Sequence, residues 1–334
     1  MRLDFIRPLY ERRGPYASVY LGALTEPERE SSWRGVRDRL GGADPATIEA
    51  LHERAVEPAV AMFATHGDVV LSERLSEPPG ELATWSPLPH VTPMLMRRGE
   101  NVPHLRVIVD HAGAELTVFG GGSPRTSTLR AESWPLQKTA QGGWSQRRYE
   151  NSVESTWEKN VALVAGEIDD QVRRIGAELV IVAGDPKSRA MLCDHLGTKA
   201  ADRVMMVEHG SHSDRGGFEL DVESALDEWL EGRRAELLDR HREAAGPVGP
   251  RQVFHALREG RVHAVLSPGE LPEPVWIGDG GTQLAPEAEE LRLWGVEQPV
   301  TERADSALAR AAAMTDAELW FSDEVSDVAA VIRY

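Results

Sequence analysis

The stretch from Lys138 to Asn151, KTAQGGWSQRRYEN, gathers side chains suited to meeting a polyanion. Lys138, Arg147 and Arg148 give three positive charges with no acid between Leu136 and Tyr149, in a chain of 334 residues whose formal net charge is −17. Cations of this kind contact phosphates, and such contacts weaken as salt competes. Gly142 and Gly143 tolerate backbone conformations that other residues resist and let the chain approach a partner closely. Trp144 offers a flat surface for stacking on a base or filling a pocket. Ser145 and Gln146 can cap a following helix and present hydrogen-bonding groups. The same residues also suit an ordinary helix start, with a glycine turn and a tryptophan buried beneath it.

Other candidate sites are less distinctive. FGGGSPRT (119–126) lacks the lysine of a phosphate-binding loop and no helical pattern follows it, so it reads as a connection between strands. GDPKS (184–188) lies between a strand and a helix, where N–H groups can hold an anion, but any strand–helix turn has that form. His209 and His212 have metal-like spacing without a surrounding ligand set, in a glycine-rich loop. No Gly-X-Ser-X-Gly elbow is present. No motif calls for a metal or a cofactor.

The elements that would position the 138–151 stretch follow from periodicity. From Tyr149 onward large apolar residues fall at Val153, Trp157, Val161, Val164, Ile168, Val172 and Ile175, spaced by three and four throughout. This predicts one long helix with an apolar face laid on a sheet. Before it, LRVIVDHAGAELTVFGGG predicts a hairpin and TSTLRAESWPL a third strand. After it come a buried strand (ELVIVAG), a helix (DPKSRAMLCDHL), a strand (RVMMVEH) and a long helix (VESALDEWLEGRRAELLDRHREA) that AGPVGP breaks. Towards the N-terminus, PYASVYLGA and GDVVLSERL predict strands, and EPERESSWRGVRDRL and DPATIEALHERAVEPAVAMFA predict helices, the second capped by Asp44 with Pro45 at its first position. SEPPGE and SPLPHVTP read as connections. The last segment alternates helix (RQVFHALREG), strand (RVHAVLS), loop, helix (APEAEELRLWG), strand (PVTE), helix (SALARAAAM), strand (ELWFSD) and strand (DVAAVIRY), which predicts a sheet sandwiched between helices. The expected organisation is α/β in three domains, each a mixed sheet packed with helices: residues 1–100, 101–245 and 246–334.

Composition narrows the function classes. The apolar fraction of 41% is enough for packed cores. One cysteine, Cys193, excludes an intramolecular disulfide framework and fits a reducing cytoplasm. The opening residues, charged throughout, are not a signal peptide, and no apolar run reaches the length of a membrane span. Neither DNA nor a membrane is an expected partner; an acidic chain meets RNA only through local patches.

Taken in order, the hairpin, the third strand, the glycine-pair loop with SQRRYE behind it, the long helix and AELVIVAG resemble the central domain of the archaeo-eukaryotic class I release factor and Pelota superfamily. AAVIRY at the terminus is similar to the way Pelota-type domains close; residues 1–100 resemble an N-terminal domain only loosely. The chain resembles bacterial members of this superfamily, among them actinobacterial relatives of the ribosome hibernation factor Balon. Release factors carry Gly-Gly-Gln at the loop tip, with Ser and Arg shortly after; this chain carries Gly142-Gly143-Trp144-Ser145-Gln146-Arg147-Arg148. The resemblance implies a ribosome partner, contacted through large-subunit rRNA by Lys138 and residues 142–148, with the loop near the peptidyl-transferase centre.

The departure at Trp144 bears on chemistry. In release factors the glutamine helps place a water for attack on the ester of peptidyl-tRNA. Trp144 has an indole N–H donor and no acceptor, and its bulk occupies the space such a water needs. Gln141 and Gln146 lie nearby but not at the matching position, and no stop-codon-reading motif is visible in residues 1–100. The favoured expectation is therefore a ribosome-binding factor without catalytic residues that holds the ribosome idle or protected from the vacant tRNA acceptor site. A peptidyl-tRNA hydrolase using Gln146 or Gln141, and Pelota-like rescue of stalled ribosomes, are the alternatives. Residues 1–40 hold eight arginines against six acids, whereas residues 245–334 hold seven arginines against fifteen acids. So acidic a segment suits protein contacts over RNA, and the resemblance implies elongation factor Tu as its partner.

Overall fold

The computed structural model describes residues 1–22, 26–55, 59–75, 79–98, 102–110, 113–120, 124–130, 144–210 and 215–333. They form two compact units: Asn101–Arg233, here the central unit, and Met1–Glu100 with Arg234–Tyr334, here the two-segment unit.

The first segment of the two-segment unit holds α1 (Pro8–Glu11), β1 (Tyr16–Leu21), α2 (Glu26–Arg39), α3 (Pro45–Arg54), β2 (Val60–Thr65), β3 (Asp68–Arg74), β4 (Leu82–Ser86) and α4 (Thr92–Arg98). Its strands make one antiparallel sheet in the order β3-β2-β1-β4. β1 and β2 are buried at every position, and their alternation divides two cores. Ala17, Val19 and Leu21 pack with Trp33, Val36 and Leu40. Tyr16 and Tyr20 face the other core, with Phe63. Asp44 caps α3 as expected, accepting from the Thr47 N–H at 2.9 Å.

One expectation is corrected here. The single helix read across 44–64 stops at Arg54, and VAMFAT is the strand β2. A strand buried on both faces is apolar at every position, so it lacks the alternation that would have marked it. Ala59, just before it, takes a left-handed backbone (φ 51°) that no helix continues through. The proline-rich stretches read as connections also hold β4 between them and the first turns of α4.

The central unit holds β5 (His104–Asp110), β6 (Gly113–Phe119), β7 (Arg125–Arg130), α5 (Trp144–Ile175), β8 (Leu179–Gly184), α6 (Pro186–His195), α7 (Thr198–Ala201), β9 (Val204–Met206) and most of α8 (Arg215–Glu243). Its five-stranded sheet runs β7-β6-β5-β8-β9, antiparallel on the β7 side of β5 and parallel on the β8 side. The stripe Val161, Val164, Ile168 and Val172 of α5 packs on one face, against Leu105, Val107, Leu116 and Val182. Phe218, Val222 and Ala225 of α8 pack on the other, against Ile181 and Ala183. At the end of β8, Gly184 has φ +112°, and a Cβ there would sit 2.0 Å from the Val109 carbonyl oxygen. Only glycine fits this crossing.

The second segment of the two-segment unit adds α9 (Pro250–Arg258), β10 (Val262–Ser267), β11 (Pro274–Ile277), β12 (Leu284–Ala285), α10 (Ala288–Leu293), β13 (Val300–Arg303), α11 (Ala304–Met314), β14 (Glu318–Phe321) and β15 (Ala329–Ile332). These strands form two three-stranded sheets, β14-β10-β15 and β12-β11-β13. The single sheet expected from the alternation becomes two because the stretch read as a loop contains β11 and β12. α11 is buried along nearly its whole length, and its small side chains let neighbours approach closely. Its Arg310 donates to the carbonyls of Gly278 (2.9 Å) and Gln283 (3.0 Å). Phe254, Leu257, Leu308 and Ala311 join Tyr20, Phe63, Met94 and Leu95 in one core, so both chain segments build it. Among the described residues no helix is long and apolar enough to cross a membrane.

Candidate nucleic-acid interface

The stretch that carries the sequence-derived site lies between β7 and α5. Lys138, Gln141, Gly142 and Gly143 fall outside the described residues. Trp144, Ser145, Gln146, Arg147 and Arg148 form the first turns of α5. The helix begins at Trp144, so Ser145 sits inside the first turn and not at the cap position expected of it.

The backbone of α5 fixes the direction of each position. At 3.6 residues per turn, Gln146 lies 18 residues, or about five whole turns, before the buried Val164, on the line of the apolar stripe. Positions 144 and 148 lie roughly 160° to either side of that line, and position 147 lies roughly 100° from it. Helix N-termini favour anions through their unpaired N–H groups, and basic side chains there add to that preference for a phosphate. The neighbouring strand β7 exposes Arg125, Thr126, Ser127 and Thr128.

The weighed alternatives resolve into structural roles. At GDPKS, the Asp185 carboxylate takes the helix-cap position itself, accepting from the N–H (2.9 Å) and hydroxyl (3.0 Å) of Ser188. An anion would meet a carboxylate there. His209 is tied to Asp221 through its N–H (2.8 Å) and its imidazole Nδ1 (3.1 Å), which hold the Asp221 carboxyl below its usual range; His212 falls outside the described residues. On the sheet, His104 stacks on Phe119 with centroids 4.5 Å apart, and the Arg106 guanidinium lies 4.0 Å over the same ring. Arg106 Nε donates to His104 Nε2 at 3.1 Å, and His104 Nδ1 meets the Val102 carbonyl at 2.8 Å. That pattern requires a neutral imidazole with its proton on Nδ1. Burial, with Arg106 beside it, pushes the His104 pKa below its ordinary value.

Sequence reasoning missed one polar cluster, in the two-segment unit. Asp305 accepts from Arg303 Nε (3.0 Å) and Nη2 (2.6 Å) and from the N–H groups of Leu271 (3.0 Å) and Ser306 (2.8 Å). Burial alone would raise its pKa, but His90 and Arg303 hold it below the usual carboxylate range. Glu302, next in sequence, accepts from the buried Leu88 N–H at 2.8 Å, and burial pushes its carboxyl up. His90 is held through its backbone, donating to Ser18 Oγ (2.9 Å) and accepting from the Tyr20 hydroxyl (2.6 Å). No spacing in the sequence signals this set, since His90 lies more than 200 positions from Asp305.

The comparisons with known proteins meet this geometry in the central unit. Residues 103–247, which run from β5 to just past α8, match the profile of the bacterial archaeo-eukaryotic release factor family 2. Over this segment the chain is similar to that family. The uncharacterized proteins Rv2629 and MT2704 of two Mycobacterium tuberculosis strains are each 28% identical to it over 368 residues, covering 100% of this chain and 97% of theirs. Among solved structures, the archaeal translation termination factor aRF1 aligns at 13% identity with a TM-score of 0.29, over 99% of this chain and 96% of that one. The Pelota protein of Archaeoglobus fulgidus aligns at 12% identity with a TM-score of 0.32, over 99% and 92%. The matched segment holds the β5–β9 sheet together with α5, α6, α7 and α8.

Proposed function

We propose that this protein binds the ribosome without hydrolysing peptidyl-tRNA and holds it idle or protected, occupying the vacant tRNA acceptor site as Balon-type hibernation factors do. The observation that carries this reading is the family match over 103–247 combined with tryptophan at the third position of the glycine-pair loop. The superfamily segment brings the loop and its basic flank. Trp144 removes the acceptor that a water-placing glutamine would supply, and neither Gln141 nor Gln146 stands at the matching position. The loop keeps cations for phosphates and a ring for stacking, which serve binding and not bond cleavage. The acidic segment 245–334 fits a protein partner such as elongation factor Tu better than it fits RNA.

The decisive measurement is peptidyl-tRNA hydrolysis on programmed ribosomes, with cosedimentation on empty and on stalled 70S ribosomes alongside. The expected result is no release above background, binding to empty ribosomes, and a loss of roughly tenfold or more in affinity for Trp144→Ala. Release by the wild-type protein that disappears in Gln146→Ala would establish the hydrolase reading instead. Preference for stalled over empty ribosomes would favour rescue.

A further inference from the structure

We infer that His90, Glu270 and Asp305 form a site for one divalent cation of the zinc type. Their ligand atoms lie within 4.8 Å of one another, and this is such a grouping among the described residues. The observation that points to a ligand is His90 itself. Its side chain is 97% buried, being 3% exposed, yet neither ring nitrogen has a hydrogen-bond partner. An imidazole taken out of water with both nitrogens unmet is costly, and buried polar groups are otherwise almost always satisfied. Its Nε2 points between two carboxylate oxygens, 3.8 Å from Glu270 Oε2 and 3.8 Å from Asp305 Oδ2. That is too long for hydrogen bonds and leaves room between the three atoms.

The donor set selects the ion. One imidazole nitrogen with two carboxylate oxygens is a zinc-type set, whereas magnesium and calcium favour oxygen alone. Zinc bonds of about 2.0–2.2 Å place tetrahedral ligands roughly 3.4 Å apart, so each 3.8 Å gap must close by about 0.4 Å. Glu270 can supply that movement, because its side chain is 47% exposed. The same exposure gives a path for the ion and for a water as fourth ligand. Arg303 grips both carboxylates, through Nη2 at 2.6 Å from Asp305 Oδ2 and 3.0 Å from Glu270 Oε2. It orients them as outer-shell donors do. Two carboxylates against one guanidinium leave a negative charge facing the imidazole. The bound ion would join the β4–α4 connection to the β10–β11 connection and to α11, tying the two chain segments of the unit together.

The test uses the full chain, stripped with a chelator, and Zn2+ alone as the probe. Calorimetry is expected to give one ion per chain, and thermal unfolding a midpoint several degrees higher with Zn2+ than without. Co2+ is expected to give the visible absorption of a tetrahedral site. Glu270→Gln, on a half-exposed side chain and so compatible with folding, is expected to weaken binding at least tenfold, and His90→Asn to abolish it. If His90→Asn does not fold, Glu270→Gln decides. Absence of Zn2+ binding to the wild-type chain, or equal affinity in Glu270→Gln, overturns the assignment and leaves the cluster as an ion pair beside an unmet histidine.

Discussion

In the central unit, the side chains that sequence reasoning assigns to a ligand stand on neighbouring residues at the mouth of one helix. In the two-segment unit, the ionic cluster is assembled from positions 90, 270 and 302–305, brought together only by folding. Positions 144–148 lie on the first turns of α5, ahead of the Val161–Val172 stripe that packs on the sheet. Asp305 and Glu302 are drawn into the core, Asp305 met there by Arg303 and by the N–H groups of Leu271 and Ser306, Glu302 by the backbone N–H groups of Leu88 and Arg303. A change at the helix mouth should therefore alter binding and spare stability; a change in the cluster should do the reverse.

The largest effect is expected from Asp305→Ala. Removing a buried carboxylate that meets Arg303 and two backbone N–H groups strands those donors, at a cost of about 3–5 kcal/mol. Denaturant unfolding checks this; a loss below about 1 kcal/mol would show that the cluster carries little of the unit. Next in size is the double change Arg147→Glu with Arg148→Glu. Ribosome affinity should fall at least tenfold and its salt dependence flatten, since each lost phosphate contact removes about 0.9 from the slope of log K against log salt for duplex and about 0.7 for single strands. The unfolding midpoint should stay where it was. Unchanged affinity in sedimentation would remove the helix mouth from the ribosome contact and erase the contrast.

The smallest effect concerns pH. The folded state holds His104 neutral by burial, with its pKa lowered from 6.5. The unfolded chain therefore binds more protons as pH drops below that value, and stability contributed by neutral His104 declines as pH falls through about 6.5 and towards the folded value. Unfolding free energy measured between pH 8 and 5 should fall more steeply for the wild type than for His104→Gln. Parallel curves would show that the Phe119–Arg106 stack does not constrain the imidazole.

How much of this could be read from sequence depends on distance along the chain. The α5 stripe and the strands β5 and β6 stand out because each is marked by a local period, and β8 because its short apolar run is bounded by a helix end and a Gly-Asp-Pro turn. Asp44 and Asp185 announce helix starts with a proline after them, and both caps form. β2 has no alternation to separate it from the helical sequence before it, and β11 and β12 are only four and two residues long. The His90 cluster carries no local mark, because a histidine after Pro89 and an aspartate in an alanine-rich helix each look ordinary until the sheet order sets them together. The chemistry of residues 138–148 was legible as residue types and as a family resemblance. The structure adds that positions 144–148 lie on the first turns of α5.

The shared core of the two-segment unit also sets a schedule for synthesis. Tyr20 and Phe63 pack against Phe254 and Leu257, which a ribosome polymerises roughly 200 residues later. At about 5–20 residues per second, one face of the first sheet stays uncovered for roughly 10–40 s while the whole central unit is made. The nascent chain therefore carries an apolar surface through most of its own translation. Chaperones have that interval in which to act, and a truncated product ending before α9 would keep the surface for good.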